Sequence, residues 1–118
     1  MATFRISERE IGPGRREIRV VGELDLAVAE ELVEAIARSR DEQTLIDLED
    51  CEFIDSTGIA VIVRAHRERA DDGGGRVVVH SPSPQVLRIL TVTGLTGNGL
   101  VFESLDEALA RPAAQHEL

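Results

Sequence analysis

Lysine is missing from the chain: all 13 basic residues are arginine. That removes Schiff-base chemistry, a phosphate-loop lysine and any lysine general base. Cysteine occurs once, as Cys51, so no intramolecular disulfide can form, an oxidising compartment gains no support, and the cytoplasm is the expected location. Long apolar runs are lacking too. The longest, Ile59 to Val63, is far short of the ~20 residues that span a bilayer, and Met1 to Arg5 shows no basic segment leading into an apolar stretch. A soluble protein with no membrane association is expected. Positive charge is scarce: 13 basic against 22 acidic residues leave a formal net charge of −9 and a pI near 4.7. Such a surface does not grip phosphodiester backbones by counterion release, so direct nucleic-acid binding is not expected.

What is present suits one globular domain. Hydrophobic residues make up 42% and charged residues 30% of 118 residues, enough for a buried core and too little sequence for a second one. Residues 1–110 are assigned to the domain, and 111–118, after Arg111-Pro112, to a frayed tail. Phe4 and Ile6 alternate with polar neighbours, and after Gly12-Pro13-Gly14 the alternation resumes at Ile18 and Val20, which predicts an N-terminal antiparallel hairpin. Helical spacing at Val28, Leu32, Ala35 and Ile36 predicts a helix from about Leu26 to Ser39. Leu45, Ile46 and Leu48 read as a strand buried on both faces, with Phe53-Ile54 continuing its direction. Ile59, Ile62, Val63 and His66 predict a second helix from Thr57 to about Ala70, stopped by Asp71-Asp72-Gly73-Gly74-Gly75. Val77-Val78-Val79 is a further strand. Pro84 opens a third helix that Gly94 closes, Leu100-Val101-Phe102 is a short last strand, and Ser104 with Glu107 forms a capping box for a fourth helix. Alternation of strand and helix after the hairpin makes this an α/β fold: a mostly parallel mixed sheet with an antiparallel N-terminal edge strand, packed by about four helices.

In such sheets, sites gather where strand C-termini meet helix N-termini. Gly22 to Asp25 and Asp55 to Gly58 both point to that end. Ser56 lies at or next to the N-cap of the second helix. Its hydroxyl fits a plain cap worth ~1 kcal/mol, or a phosphorylation site, where a charge of roughly −1.5 to −2 meets free N–H groups and the positive end of the macrodipole. Ile59 and Val61 cannot both face inward, so either one joins a partner-facing apolar patch or the helix is buried on two sides.

Gly22-Glu23-Leu24-Asp25, Phe53-Ile54-Asp55-Ser56-Thr57-Gly58-Ile59, Gly74-Gly75 and Thr93-Gly94-Leu95 together resemble the bacterial anti-sigma factor antagonists, which are single STAS domains. The resemblance runs from about Phe4 to Leu109, and the Asp-Ser-Thr-Gly block is its most specific part. It implies a binding module rather than an enzyme. The unphosphorylated form would bind an anti-sigma factor that is itself a serine kinase and release its sigma factor, phosphorylation of Ser56 would switch that binding off, and a serine phosphatase would reverse it. Thr57 is the lesser acceptor, and Asp25, Asp55, Ser56, Thr57, Gly58, Ile59 and Val61 form the implied partner-binding set. Ile59-Ala60-Val61 departs from the Leu-Gly-containing turn usual in the family, which bears on partner choice. The alternative within the same fold is a STAS subunit of a stress-sensing scaffold or a transporter accessory complex.

No cofactor and no metal are expected. Cys51 reads as a small buried or half-buried residue in a turn and a poor ligand or nucleophile. His66, His80 and His116 are scattered, show no metal spacing with Cys51, and read as solvated or core-edge side chains. Gly73-Gly74-Gly75 lacks the ending of a phosphate loop, and Gly94-Leu95-Thr96-Gly97-Asn98-Gly99 follows a helix where a dinucleotide fingerprint follows a strand. A serine hydrolase would need Gly-x-Ser-x-Gly with a placed histidine, and a phospho-aspartate receiver a lysine; neither is present.

Overall fold

Strand β1 (Arg5–Gly12) turns through Pro13-Gly14 into β2 (Arg15–Leu24), and the two pair antiparallel from Arg5↔Val21 to Gly12↔Arg15. The computed structural model describes residues 4–39, 43–73 and 75–110. After β2 come α1 (Ala29–Arg38), β3 (Gln43–Asp47), β4 (Cys51–Ile54), α2 (Ser56–Asp71), β5 (Arg76–His80), α3 (Pro84–Val92), β6 (Val101–Phe102) and α4 (Leu105–Leu109). The sheet order is β1-β2-β3-β5-β6, with β4 also paired to β2. Every pairing except β1 with β2 is parallel, as the alternation of elements predicts.

One strand of the sequence reading is two in the structure. Leu45 to Ile54 breaks after Asp47, whose Oδ1 accepts the Glu49 N–H at 2.9 Å, while the Cys51 N–H donates to the Leu48 carbonyl at 3.2 Å. The resulting turn lets β2 hold two partners in succession along the same edge. Arg15 to Arg19 pair with β3, and Gly22 to Leu24 with β4. The register shifts at Gly22, which has φ +102°, a conformation that a Cβ would penalise. Its N–H donates to the Asp50 carbonyl at 3.1 Å. This carries the C-terminal end of β2 alongside β4 and delivers both chain segments to the same end of the sheet.

Side-chain alternation divides the core. Ile18, Val20, Ile46, Leu48, Val77 and Val79 point to one face and join Leu32, Ala35 and Ile36 of α1, Ile62 of α2, and Val86 and Leu90 of α3. Leu45 and Val78 point the other way and meet Ala108 of α4. Each fully buried leucine or isoleucine contributes about 1.5–3 kcal/mol of burial. Helix α1 starts at Ala29 rather than Leu26, because Asp25 spends its own carbonyl and Oδ1 on the Val28 and Ala27 N–H groups, a local turn that keeps Leu26 to Val28 out of the helix. Ser83 caps α3 with Pro84 in its first turn, and Ser104 caps α4 through the Glu107 N–H. None of the described helices is long and apolar enough to cross a membrane.

Candidate functional site

The Asp55 to Gly58 segment joins β4 to α2. Asp55, not Ser56, is the N-cap. Its backbone is extended, with φ −102° and ψ −177°, and its Oδ1 accepts the Gly58 N–H at 3.0 Å. The Asp55 N–H donates to the Leu24 carbonyl at 3.1 Å, and its own carbonyl accepts from Ile59 at 3.0 Å. The second carboxylate oxygen, Oδ2, accepts the Leu26 N–H at 3.1 Å. One side chain thus caps the helix and ties the Asp25 to Val28 turn to it, joining the two loops that the sequence points to the same end.

Ser56 is therefore the first residue of the helix, exposed, and released from the capping role that one reading of the sequence assigned to it. Neither its hydroxyl nor the N–H groups of Ser56 and Thr57 have a hydrogen-bond partner among the described residues. Three features of an anion-accepting helix start are in place: an exposed hydroxyl, free donors and the positive end of a 16-residue helix.

Gly58 is buried and its role is steric. A Cβ built there would lie 2.8 Å from Leu24 Cγ, 2.9 Å from the Leu24 carbonyl oxygen and 3.0 Å from Ile54 Cγ1. The glycine lets the first turn of α2 press onto the ends of β2 and β4, which fixes where Ser56 stands.

Ile59 and Val61 are both half-buried and pack against the large core cluster. They differ in what else they touch. Val61 lines a groove of about 540 Å³ between α1 and α2, together with Leu26, Ala29, Val33, Thr57 and Ala60, whereas Ile59 does not. Small alanines on both helices leave the groove open, and at its far end Arg69 donates to Thr44 Oγ1 at 3.1 Å and to the Ser39 carbonyl at 2.9 Å. Leu26 stands beside the site 74% exposed, and Phe53, just before Ile54, is 44% exposed. Periodicity places Leu26 inside a helix and Phe53 in the continuation of a buried strand, which hides both as apolar surface residues. The Asx-turn potential of Asp25 was the available signal for the first.

The remaining candidates are structural or distant. Cys51 is fully buried and, contrary to the turn expected from the sequence, opens β4 as the register partner of Gly22, the turn ending just before it; its Sγ lies 3.4 Å from the Phe53 carbonyl, and burial pushes its thiol above the ordinary value. His66 Nδ1 lies 2.7 Å from the Val77 carbonyl. His80 corrects the sequence reading: it is 3% exposed, neither solvated nor at the core edge, because it ends β5 facing Glu17. His116 and Gly74 lie outside the described residues.

Comparison with known proteins speaks to the family and the fold. The STAS domain family model matches residues 8–108. An anti-sigma F factor antagonist of Paenibacillus polymyxa is 32% identical over 82 residues, covering 66% of this chain and 69% of the relative. A crystal structure of an anti-sigma factor antagonist from Mycobacterium paratuberculosis superposes with a TM-score of 0.75 at 25% identity, covering 93% of this chain and 92% of the other. The antagonist SpoIIAA of Bacillus, solved in unphosphorylated and phosphorylated forms, gives TM-scores of 0.68 and 0.66 at 24% and 23% identity. Each covers 92% of this chain, against 95% and 98% of its own; at that identity the likeness speaks for the fold.

Proposed function

Because the chain belongs to the STAS-domain family, and its relatives of similar size are anti-sigma factor antagonists, we propose that it is itself such an antagonist, a cytoplasmic binding module switched by phosphorylation of Ser56. In its unphosphorylated form it binds an anti-sigma factor serine kinase and so releases that kinase's sigma factor. A phosphate on Ser56 ends the binding, and a serine phosphatase restores it.

The observation that carries this reading is the division of labour between neighbours. Asp55 takes the N-cap, leaving the Ser56 hydroxyl exposed and unbonded at the first helical position. A phosphoryl group added there breaks no bond of the folded chain, and it meets the free N–H groups and the helix dipole. It also places roughly two negative charges next to Asp55, and a partner docking over the site would have to desolvate them. Exposed Leu26 and Phe53 and the groove wall at Val61 supply the apolar part of the interface, and the net charge of −9 favours a basic partner surface.

The test is affinity capture from the native host with wild-type, Ser56→Ala and Ser56→Asp baits, followed by thermal melts of all three. A small ATP-binding kinase retained by Ser56→Ala and lost by Ser56→Asp, with the melting midpoint nearly unchanged, is the expected result. Equal retention by Ser56→Asp, or recovery of a large scaffold or transporter indifferent to the substitution, overturns it.

A further inference from the structure

On the face of the sheet that α4 partly covers, three side chains far apart in sequence converge: Glu17 from β2, Asp47 from β3 and His80 from β5, exposed by only 4%, 6% and 3%. One ligand atom from each, a carboxylate oxygen or a ring nitrogen, lies within 4.8 Å of the other two. Register puts them there. Glu17 is the partner of Leu45, and Asp47 is the partner of His80, so all three share the face of Leu45 and Val78.

The bonding of the cluster leaves negative charge in excess. His80 Nε2 lies 2.9 Å from Glu17 Oε2, and Nδ1 lies 2.8 Å from Ser81 Oγ. Glu17 Oε1 accepts from Arg9 Nε at 2.9 Å, but the Arg9 side chain is 69% exposed. Asp47 uses Oδ1 for the Glu49 N–H, and its Oδ2 accepts from no described residue. Arg19, its register partner, is engaged with Asp50. Two buried carboxylates thus face an imidazole and two solvent-facing guanidiniums: Arg9, bonded to Glu17, and Arg19, which acts on Asp47 through its charge while it pairs with Asp50.

We propose that Glu17, Asp47 and His80 form a binding site for a divalent transition-metal ion, with zinc the best match to two carboxylate oxygens and one imidazole nitrogen. The ion sits between His80 Nε2 and the two carboxylates, in place of the His80–Glu17 hydrogen bond. Ser81 supplies the supporting contact. Its hydroxyl can donate or accept, so a neutral ring presents the Nε2 lone pair by carrying its proton on Nδ1, held by Ser81 Oγ. A recess of about 290 Å³ lined by Ser7, Glu8, Arg9, Glu17 and Arg19 opens onto Glu17, and an outward swing of the exposed Arg9 guanidinium admits the ion. Bound metal clamps three adjacent strands and does not depend on the switch at Ser56.

The experiment titrates zinc chloride into the full chain after chelator treatment, followed by calorimetry and by long-range proton–nitrogen NMR of the histidine rings. One equivalent is expected to bind, raise the melting midpoint in a concentration-dependent and chelator-reversible way, and shift the His80 ring nitrogens while leaving those of His66 in place. Asp47→Asn and Glu17→Gln are each expected to weaken binding about tenfold or more. Absence of saturable binding, unchanged affinity in both variants, or His80 resonances that do not move would each overturn the site. The NMR arm decides the matter on the wild-type chain if the variants fail to fold.

Discussion

Asp55 and Leu26 are joined by a single hydrogen bond, from the Leu26 N–H to Asp55 Oδ2 at 3.1 Å, while the other oxygen of the same carboxylate holds the Gly58 N–H at 3.0 Å. Position and exposure of the loop beside Ser56 therefore depend on the residue that caps the helix. Asp55→Ala removes both bonds at once and is expected to cost about 1–2 kcal/mol of stability. Asp55→Asn keeps one acceptor oxygen and should lose less. Urea denaturation of the three proteins checks the order, and amide exchange at Leu26 should speed up in Asp55→Ala.

Gly58 sets two effects against each other. Replacing a helical glycine by alanine ordinarily gains ~1 kcal/mol of helix propensity. Here the new Cβ would stand 2.8 Å from Leu24 Cγ and 2.9 Å from the Leu24 carbonyl, and a backbone oxygen cannot step aside as a side-chain tip can. Overpacking of this kind costs about 1–3 kcal/mol, so Gly58→Ala is expected to destabilise the domain, measured as a lower midpoint in urea with an unchanged slope. A stabilised variant would show that α2 can lift off Leu24.

Leu26 and Val92 are similarly exposed, at 74% and 80%, and differ in position. Leu26 adjoins the Ser56 end, whereas Val92 closes α3, which returns the chain to the opposite end of the sheet. Serine at either position should change stability by no more than about 0.5 kcal/mol. Only Leu26→Ser should weaken the partner, about tenfold or more, in line with losing ~1.5 kcal/mol or more of leucine burial. Calorimetry with the kinase that Ser56→Ala retains would separate the two.

The hairpin, the three longer helices and the convergence of the loop after β2 with the start of α2, which meet through Leu24, Leu26 and Asp55, are legible because each rests on local chemistry: a Gly-Pro-Gly turn, apolar spacing, and glycine or serine at helix ends. Less local features are not. Whether Asp55 or Ser56 caps α2 depends on the backbone angles at Asp55, which pairing with Leu24 sets. The break after Asp47 depends on its side chain bending back to Glu49 and on β2 having a free edge for β4. His80 meets Glu17 and Asp47 only through sheet register, and spacing along the chain carries no trace of that.

Cys51 provides an unusually clean pH test, because the chain holds neither lysine nor tyrosine. Between about pH 9 and 11 no other side chain of ordinary acidity titrates, the terminal amine having done so near 8. Burial raises the Cys51 thiol above its ordinary 9.0. As pH rises past that value the unfolded chain loses its thiol proton first and then binds fewer protons than the folded one, so stability falls with increasing pH. The contribution is fully present below pH 9 and is lost as pH climbs through the folded-state value. Wild type should therefore lose stability in urea between pH 9 and 10.5. Cys51→Ala, less stable at neutral pH by about 1 kcal/mol for the lost sulfur, should show a flat profile over the same range. A parallel decline in both proteins would place the titrating group elsewhere.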